Sequence, residues 1–151
     1  MNSLKKYYKI ALIGGSLISI VPAMIVSFLS SMFPSITPEG LDVANNILEV
    51  ESYGLLQYFF IFLIIIVSPI IEELIFRGAG WWAVEKLFNK KAAFFLTTFL
   101  FCAVHGDILQ IVGLIPISLF FGWLRYKTGS IKPGIVAHVA NNCVGCILMV
   151  I

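Results

Sequence analysis

The chain has 151 residues and a mass of 16.8 kDa, which suits one compact domain and is too short for two. Its residues are 60% hydrophobic and only 12% charged, with a mean hydropathy of +0.99 and a formal net charge of +2. Soluble domains carry about 25% charged residues, so this balance excludes an ordinary water-soluble domain, a disordered tail and a nucleic-acid-binding module. The expected solvent is lipid.

Lys5, Lys6 and Lys9 precede an apolar stretch from Ile10 to Phe33. As a helix this stretch rises about 36 Å, enough to cross a ~30 Å hydrocarbon core with some tilt. A signal peptide also begins with basic residues, but the stretch is long for one and lacks a convincing A-x-A-like cleavage site. An uncleaved first span is therefore expected. Pro34 to Tyr53 is the long polar segment, carrying Glu39, Asp42, Glu49 and Glu51 with no Lys or Arg. Thr37, Pro38 and Glu39 have the character of a helix start. Leu41, Ala44, Ile47 and Leu48 then share a face, which predicts a short helix lying on the membrane surface.

Gly54 to Ile71 is apolar and interrupted by Pro69, and Glu72-Glu73-Leu74-Ile75-Phe76-Arg77 follows before Gly78 to Phe88. One straight helix over that whole length would rise about 52 Å, too far for a single span. A kink at Pro69 and a surface-lying end around Trp81 to Phe88 are expected instead. Pro69 and Gly78 flank the glutamates, where freed backbone groups would face a cavity. Ala92 to Val104, Ile108 to Leu124 and Gly134 to Ile151 are the remaining apolar runs. The predicted fold is all-α, a polytopic transmembrane helical bundle of about five hydrophobic segments. Residues 1–53 form an N-terminal span with an extracytoplasmic acidic loop, and residues 54–151 form the core.

Charge placement gives orientation. The amino-terminal tail, the Lys86 to Lys91 turn and the Arg125 to Lys132 turn hold every basic residue except Arg77. Cytoplasmic loops carry the Lys and Arg excess, so a multi-pass protein of the cell membrane with a cytoplasmic N-terminus is expected. Trp81, Trp82 and Tyr126 lie near these turns and are expected to anchor the interface. Cys102, Cys143 and Cys146 all sit in apolar stretches and are read as packing residues. The C-x-x-C at Cys143 and Cys146 has no second pair or nearby histidine pair to complete a zinc site.

The polar residues inside the apolar runs carry the chemistry. Glu72, Glu73 and Arg77, if all charged at mid-depth, would cost about 8–10 kcal/mol to insert, so they are expected to face a protein interior or a water-filled cavity and pair. Both histidines of the chain, His105 and His138, also fall within membrane segments. Glu73 and Arg77 are i and i+4 and can pair directly, while Glu72 is rotated by about 100° and points elsewhere. Arg77 then neutralises Glu73 and leaves Glu72 as a usable general base. His138 and Asn142 are likewise i and i+4, and an imidazole and an amide together suit a developing oxyanion. Asp107, beside His105, is read as a residue of a polar turn.

E-E-x-x-x-R at Glu72 to Arg77, F-x-x-x-H at Phe101 to His105 and H-x-x-x-N at His138 to Asn142 occur in this order, over roughly Pro69 to Ile151. In this the chain resembles the CPBP family, also called Abi, of type II CAAX prenyl proteases and bacteriocin-processing or immunity proteins. The resemblance implies an all-helical intramembrane endopeptidase. Glu72 would activate the attacking water, His105 would help hold it, and His138 and Asn142 would stabilise the oxyanion. Glu73 and Arg77 would brace the helix. The family is often labelled a metalloprotease, and Glu72, His105 and His138 would be the ligands of a zinc ion. The metal-free version is preferred, because Glu72 as a ligand would leave no unpaired carboxylate in these motifs as base. The implied partners are the lipid bilayer and a peptide or prenylated protein substrate, including a bacteriocin precursor, with no nucleic acid. The chain is shorter than many members, so any difference is expected in the substrate groove rather than the site. Two rival readings are a non-catalytic bacteriocin self-immunity protein on the same scaffold and a small proton-relaying transporter. The transporter lacks the paired broken segments repeated across two halves.

Overall fold

Backbone groups in lipid must find their hydrogen bonds within the chain, and long apolar runs without turn residues do so as helices. The computed structural model describes residues 2–32, 54–106 and 108–150, and every element among them is helical. The surface helix expected over 37–48 and the turn residue Asp107 lie outside these residues. α1 (Asn2–Ile18) and α2 (Ile20–Met32) are followed by α3 (Gly54–Phe62), a wide π-helical segment (Leu63–Val67) and α4 (Ser68–Glu73). A second π-helical segment (Leu74–Gly80), α5 (Trp81–Leu87), α6 (Lys90–Ala103), α7 (Ile108–Thr128) and α8 (Lys132–Val150) complete the order.

Among the described residues, three helical runs are long and apolar enough to cross a bilayer: Leu4–Met32, Gly54–Leu87 and Ile108–Thr128. The other two apolar segments of the sequence are α6 and α8. With 14 residues α6 rises only about 21 Å, and α8 carries His138, Asn141 and Asn142 along its length. Asn89 caps α6, its side-chain oxygen accepting from the Ala92 N–H at 2.9 Å. Gly129, at φ +68°, makes the left-handed turn between α7 and α8.

The amino-terminal helices pack on the last two. Ala11 joins Ile117, Phe121, Leu124 and Ala137 in one buried cluster. Gly15 meets the α8 backbone so closely that a Cβ would stand 2.3 Å from the Ala137 carbonyl oxygen. Small residues permit such backbone contact between helices in lipid, where close packing and not water exclusion holds helices together. Large apolar side chains, including Met24, Phe28, Leu55, Phe59 and Phe99, point outward over the whole length. In water that surface would drive aggregation; in a bilayer it is the solvated face.

Helical structure continues through the run from Gly54 to Leu87, widened at the two π-helical segments, and Pro69 sits in the first turn of α4. Trp81 is not the interface anchor expected of it. It is 1% exposed, donates its indole N–H to Glu85 Oε2 at 2.7 Å, and has the Arg125 guanidinium 5.6 Å from its ring. Successive helical residues differ by about 100° in direction, so Trp81 turns inward while Trp82 stays exposed with Lys86 over its ring.

Candidate active site

The Glu72–Glu73 pair closes α4, and the structure gives the two carboxylates different surroundings. One turn after Glu73, Arg77 places Nη1 3.0 Å from Glu73 Oε1, with both side chains fully buried. Arg77 Nη2 donates to Ser118 Oγ at 2.7 Å and to the Ser118 carbonyl at 3.1 Å. The Ser118 hydroxyl donates onward to the Thr98 carbonyl at 3.2 Å. The guanidinium lies 4.4 Å from the Phe101 ring centroid and 5.8 Å from that of Phe121. A buried charge is tolerated when it is paired and hydrogen-bonded, and cation–π contact adds to this one. Gly134 makes room for the pair, since a Cβ at that position would come within 2.6 Å of Glu73 Oε2.

Glu72 keeps 26% of its side chain exposed. It accepts a short hydrogen bond on Oε1 from the hydroxyl of Ser68, one turn earlier in the same helix. His138 reaches in from α8 and lies between the two carboxylates. Its Nε2 is 3.7 Å from Glu72 Oε2 and its Nδ1 3.5 Å from Glu73 Oε1. Both separations exceed hydrogen-bond length, and neither His138 Nδ1 nor Glu73 Oε2 has a hydrogen-bond partner. The imidazole is buried and packs on Phe121, with centroids 4.6 Å apart, and edge-on to Phe101 at 5.7 Å. Glu72 and Glu73 were expected to point to different places. They leave the helix in different directions, and the imidazole of His138 lies between them, one ring nitrogen toward each.

His105 follows the end of α6, just before Gly106 turns the chain at φ +75°. Its Nδ1 donates to the Phe101 carbonyl at 2.8 Å. A carbonyl can only accept, so Nδ1 carries the hydrogen, and in the neutral ring Nε2 is the acceptor. The Phe101 ring is 5.1 Å from His105 and 5.7 Å from His138, and so touches both histidines. Asn142, one turn beyond His138, donates from Nδ2 to the Ile64 carbonyl in the first π-helical segment at 3.0 Å. Its Oδ1 accepts from Asn141 Nδ2 at 3.2 Å.

The structure therefore brings Glu72, Glu73, Arg77 and His138 together directly. His105 is tied in through Phe101, and Asn142 through the helix that carries the glutamates. Among the described residues, no three His, Cys, Asp or Glu side chains converge as a set able to hold a metal ion. Three contributors escaped the sequence reading. Ser68 had a local signal, four residues before Glu72. Ser118 and Phe121 had none, since only packing brings α7 to the guanidinium.

Chemically, one carboxylate is neutralised and held rigid while its neighbour is partly open, hydrogen-bonded and beside an imidazole. A family model described as type II CAAX prenyl endopeptidase Rce1-like matches residues 54–144, more than half of the chain and the whole of this site. No curated protein and no solved structure matches the sequence.

Proposed function

The chain belongs to the Rce1-like family of type II CAAX prenyl endopeptidases, multi-pass membrane proteins of the intramembrane protease kind, and we propose that it hydrolyses a peptide bond with a water activated by Glu72. The observation that supports this reading is the division of labour between two adjacent carboxylates. Arg77 takes up the charge of Glu73, while Glu72 stays accessible with His138 beside it.

In the proposed reaction Glu72 takes a proton from water as the oxygen attacks the scissile carbonyl carbon. His105, its Nε2 free to accept, orients that water. His138 donates to the oxyanion of the tetrahedral intermediate. Asn142 assists through the amide hydrogen that Ile64 does not take. As the C–N bond breaks, Glu72 returns the proton to the leaving amine, so the products gain one molecule of water. The reading is metal-free. The substrate is a peptide presented at the membrane surface, of prenylated CAAX type or a small hydrophobic peptide such as a bacteriocin precursor. The Lys and Arg distribution supports a cytoplasmic N-terminus.

The test uses wild-type and Glu72→Gln protein in liposomes, incubated with prenylated CAAX-tailed peptides and a pool of small hydrophobic peptides, with products read by mass spectrometry. Cleavage by the wild type and a loss of about 10²–10⁴-fold in the variant are expected. Equal cleavage by both would sink the role given to Glu72. A chain that cuts nothing, yet protects cells from a peptide toxin in wild-type and Glu72→Gln form alike, would support the immunity reading instead.

A further inference from the structure

The hydrogen bonds of the first π-helical segment identify a second task for Asn142. The Ser68 N–H donates to the Leu63 carbonyl, five residues back. In that register the next acceptor is the Ile64 carbonyl, and the next donor would be residue 69. Residue 69 is Pro, which has no N–H. In the tighter four-residue register the Ile64 acceptor would belong to Ser68, whose N–H is already spent on Leu63. The Ile64 carbonyl is thus left without a backbone donor from its own helix. Asn142 Nδ2, 78 residues away in sequence, meets it at 3.0 Å.

We propose that Asn142 is a positioning residue, which satisfies the carbonyl orphaned by Pro69 and thereby fixes the helix of Glu72 against the helix of His138. The placement supports this on both sides of the bond. Pro69 lies three residues before Glu72, within α4, and His138 lies one turn before Asn142 on α8. The bond joins these two short levers at their base. His138 and Glu72 stand 3.7 Å apart without a hydrogen bond of their own, so their separation is set from outside the pair. A tether at Ile64 is a means of setting it. Proton transfer and oxyanion donation both depend on sub-ångström placement, and misplacement by about 1 Å can reduce turnover by roughly 10²-fold.

The catalytic half of this inference rests on the function proposed above; the tether itself does not. Both are tested by one double-mutant cycle of Asn142→Ala and Pro69→Ala. Alanine at 69 restores a backbone N–H, and in either helical register the Ile64 carbonyl then gains a donor from the helix. Asn142→Ala alone is expected to lower the thermal midpoint in detergent by about 2–4 °C, the size of one lost hydrogen bond in a chain of this length. In the Pro69→Ala background the same substitution is expected to shift it by less than about 1 °C. In the cleavage assay Asn142→Ala is expected to lower kcat by about tenfold or more with KM little changed. Pro69→Ala should relieve at least about threefold of that loss. If Asn142→Ala alone fails to fold, recovery of folded protein in the double variant carries the same meaning.

An equal thermal loss in both backgrounds, or a double variant that stays unfolded, would overturn the tether. A relieved thermal loss with an equal kcat loss in both backgrounds would overturn the positioning role and leave Asn142 acting on the oxyanion alone. If Glu72→Gln still cleaves, the proposed reaction fails, and the thermal arm of the cycle still decides the tether.

Discussion

Glu72 and Glu73 are chemically identical neighbours, yet the two sides of the turn they share are built differently. The Glu73 side is closed: Arg77, Ser118, Phe101 and Phe121 surround a fully buried ion pair, and Gly134 leaves space for it. The Glu72 side is open by a quarter of its side chain and holds two groups that can exchange protons, Ser68 and His138. The difference teaches how a helix can carry two adjacent carboxylates in an apolar setting. One is neutralised by a buried cation, while its neighbour stays partly open. Arg125 adds a brace on the closed side by donating from Nε to the Arg77 carbonyl at 3.0 Å.

That comparison breaks most visibly if the two glutamates are exchanged for amides in turn. Glu73→Gln leaves the Arg77 charge buried without its counter-ion and is expected to destabilise the fold by about 3–5 kcal/mol. Thermal unfolding in detergent should register this, whereas Glu72→Gln should unfold within about 1 kcal/mol of wild type. Equal destabilisation by the two variants would erase the distinction between the sides. A smaller effect is expected from Gly134→Ala, whose new methyl group would collide with Glu73 Oε2. Overpacking of that kind costs about 1–3 kcal/mol. Because the Glu73 carboxylate also faces His138, cleavage should fall along with the thermal midpoint. Ser68→Ala sharpens the other side. It removes the donor to Glu72, and a single such bond is worth about 0.5–1.5 kcal/mol. The expected result is a modest fall in kcat, of about three- to tenfold, with little change in unfolding. A Ser68→Ala protein that unfolds early but cleaves at the wild-type rate would show the hydroxyl to be structural.

The local part of the site could be read along the chain. The Glu73–Arg77 pair follows from i, i+4 geometry, as does the placement of His138 and Asn142 on one face of α8. Ser68, one turn before Glu72, belonged to the same rule and was overlooked. The position of His138 between the two carboxylates could not be read this way, because it depends on how α8 lies against α4. Trp81 and Trp82 make the same point on the fold. Their position near basic residues suggested two interface anchors, but only packing decides which of two adjacent indoles turns inward. Among the described residues the five apolar segments expected are helical, and three runs have the length and composition of spans. Hydropathy reports composition, and α6 and α8 are shortened or made polar by their places beside the site.

By itself, then, the sequence determined the solvent, the helical class and the residues able to do chemistry. Each follows from composition or from spacing within one helix, where 3.6 residues per turn is enough to compute a neighbour. The tertiary structure alone decided the register of Gly54–Leu87 around Pro69, the partner of the Ile64 carbonyl, the seat of Arg77 between two aromatic rings and the place of His138 between two carboxylates. Those outcomes join residues tens of positions apart, and their energies exist only when separate helices are already packed.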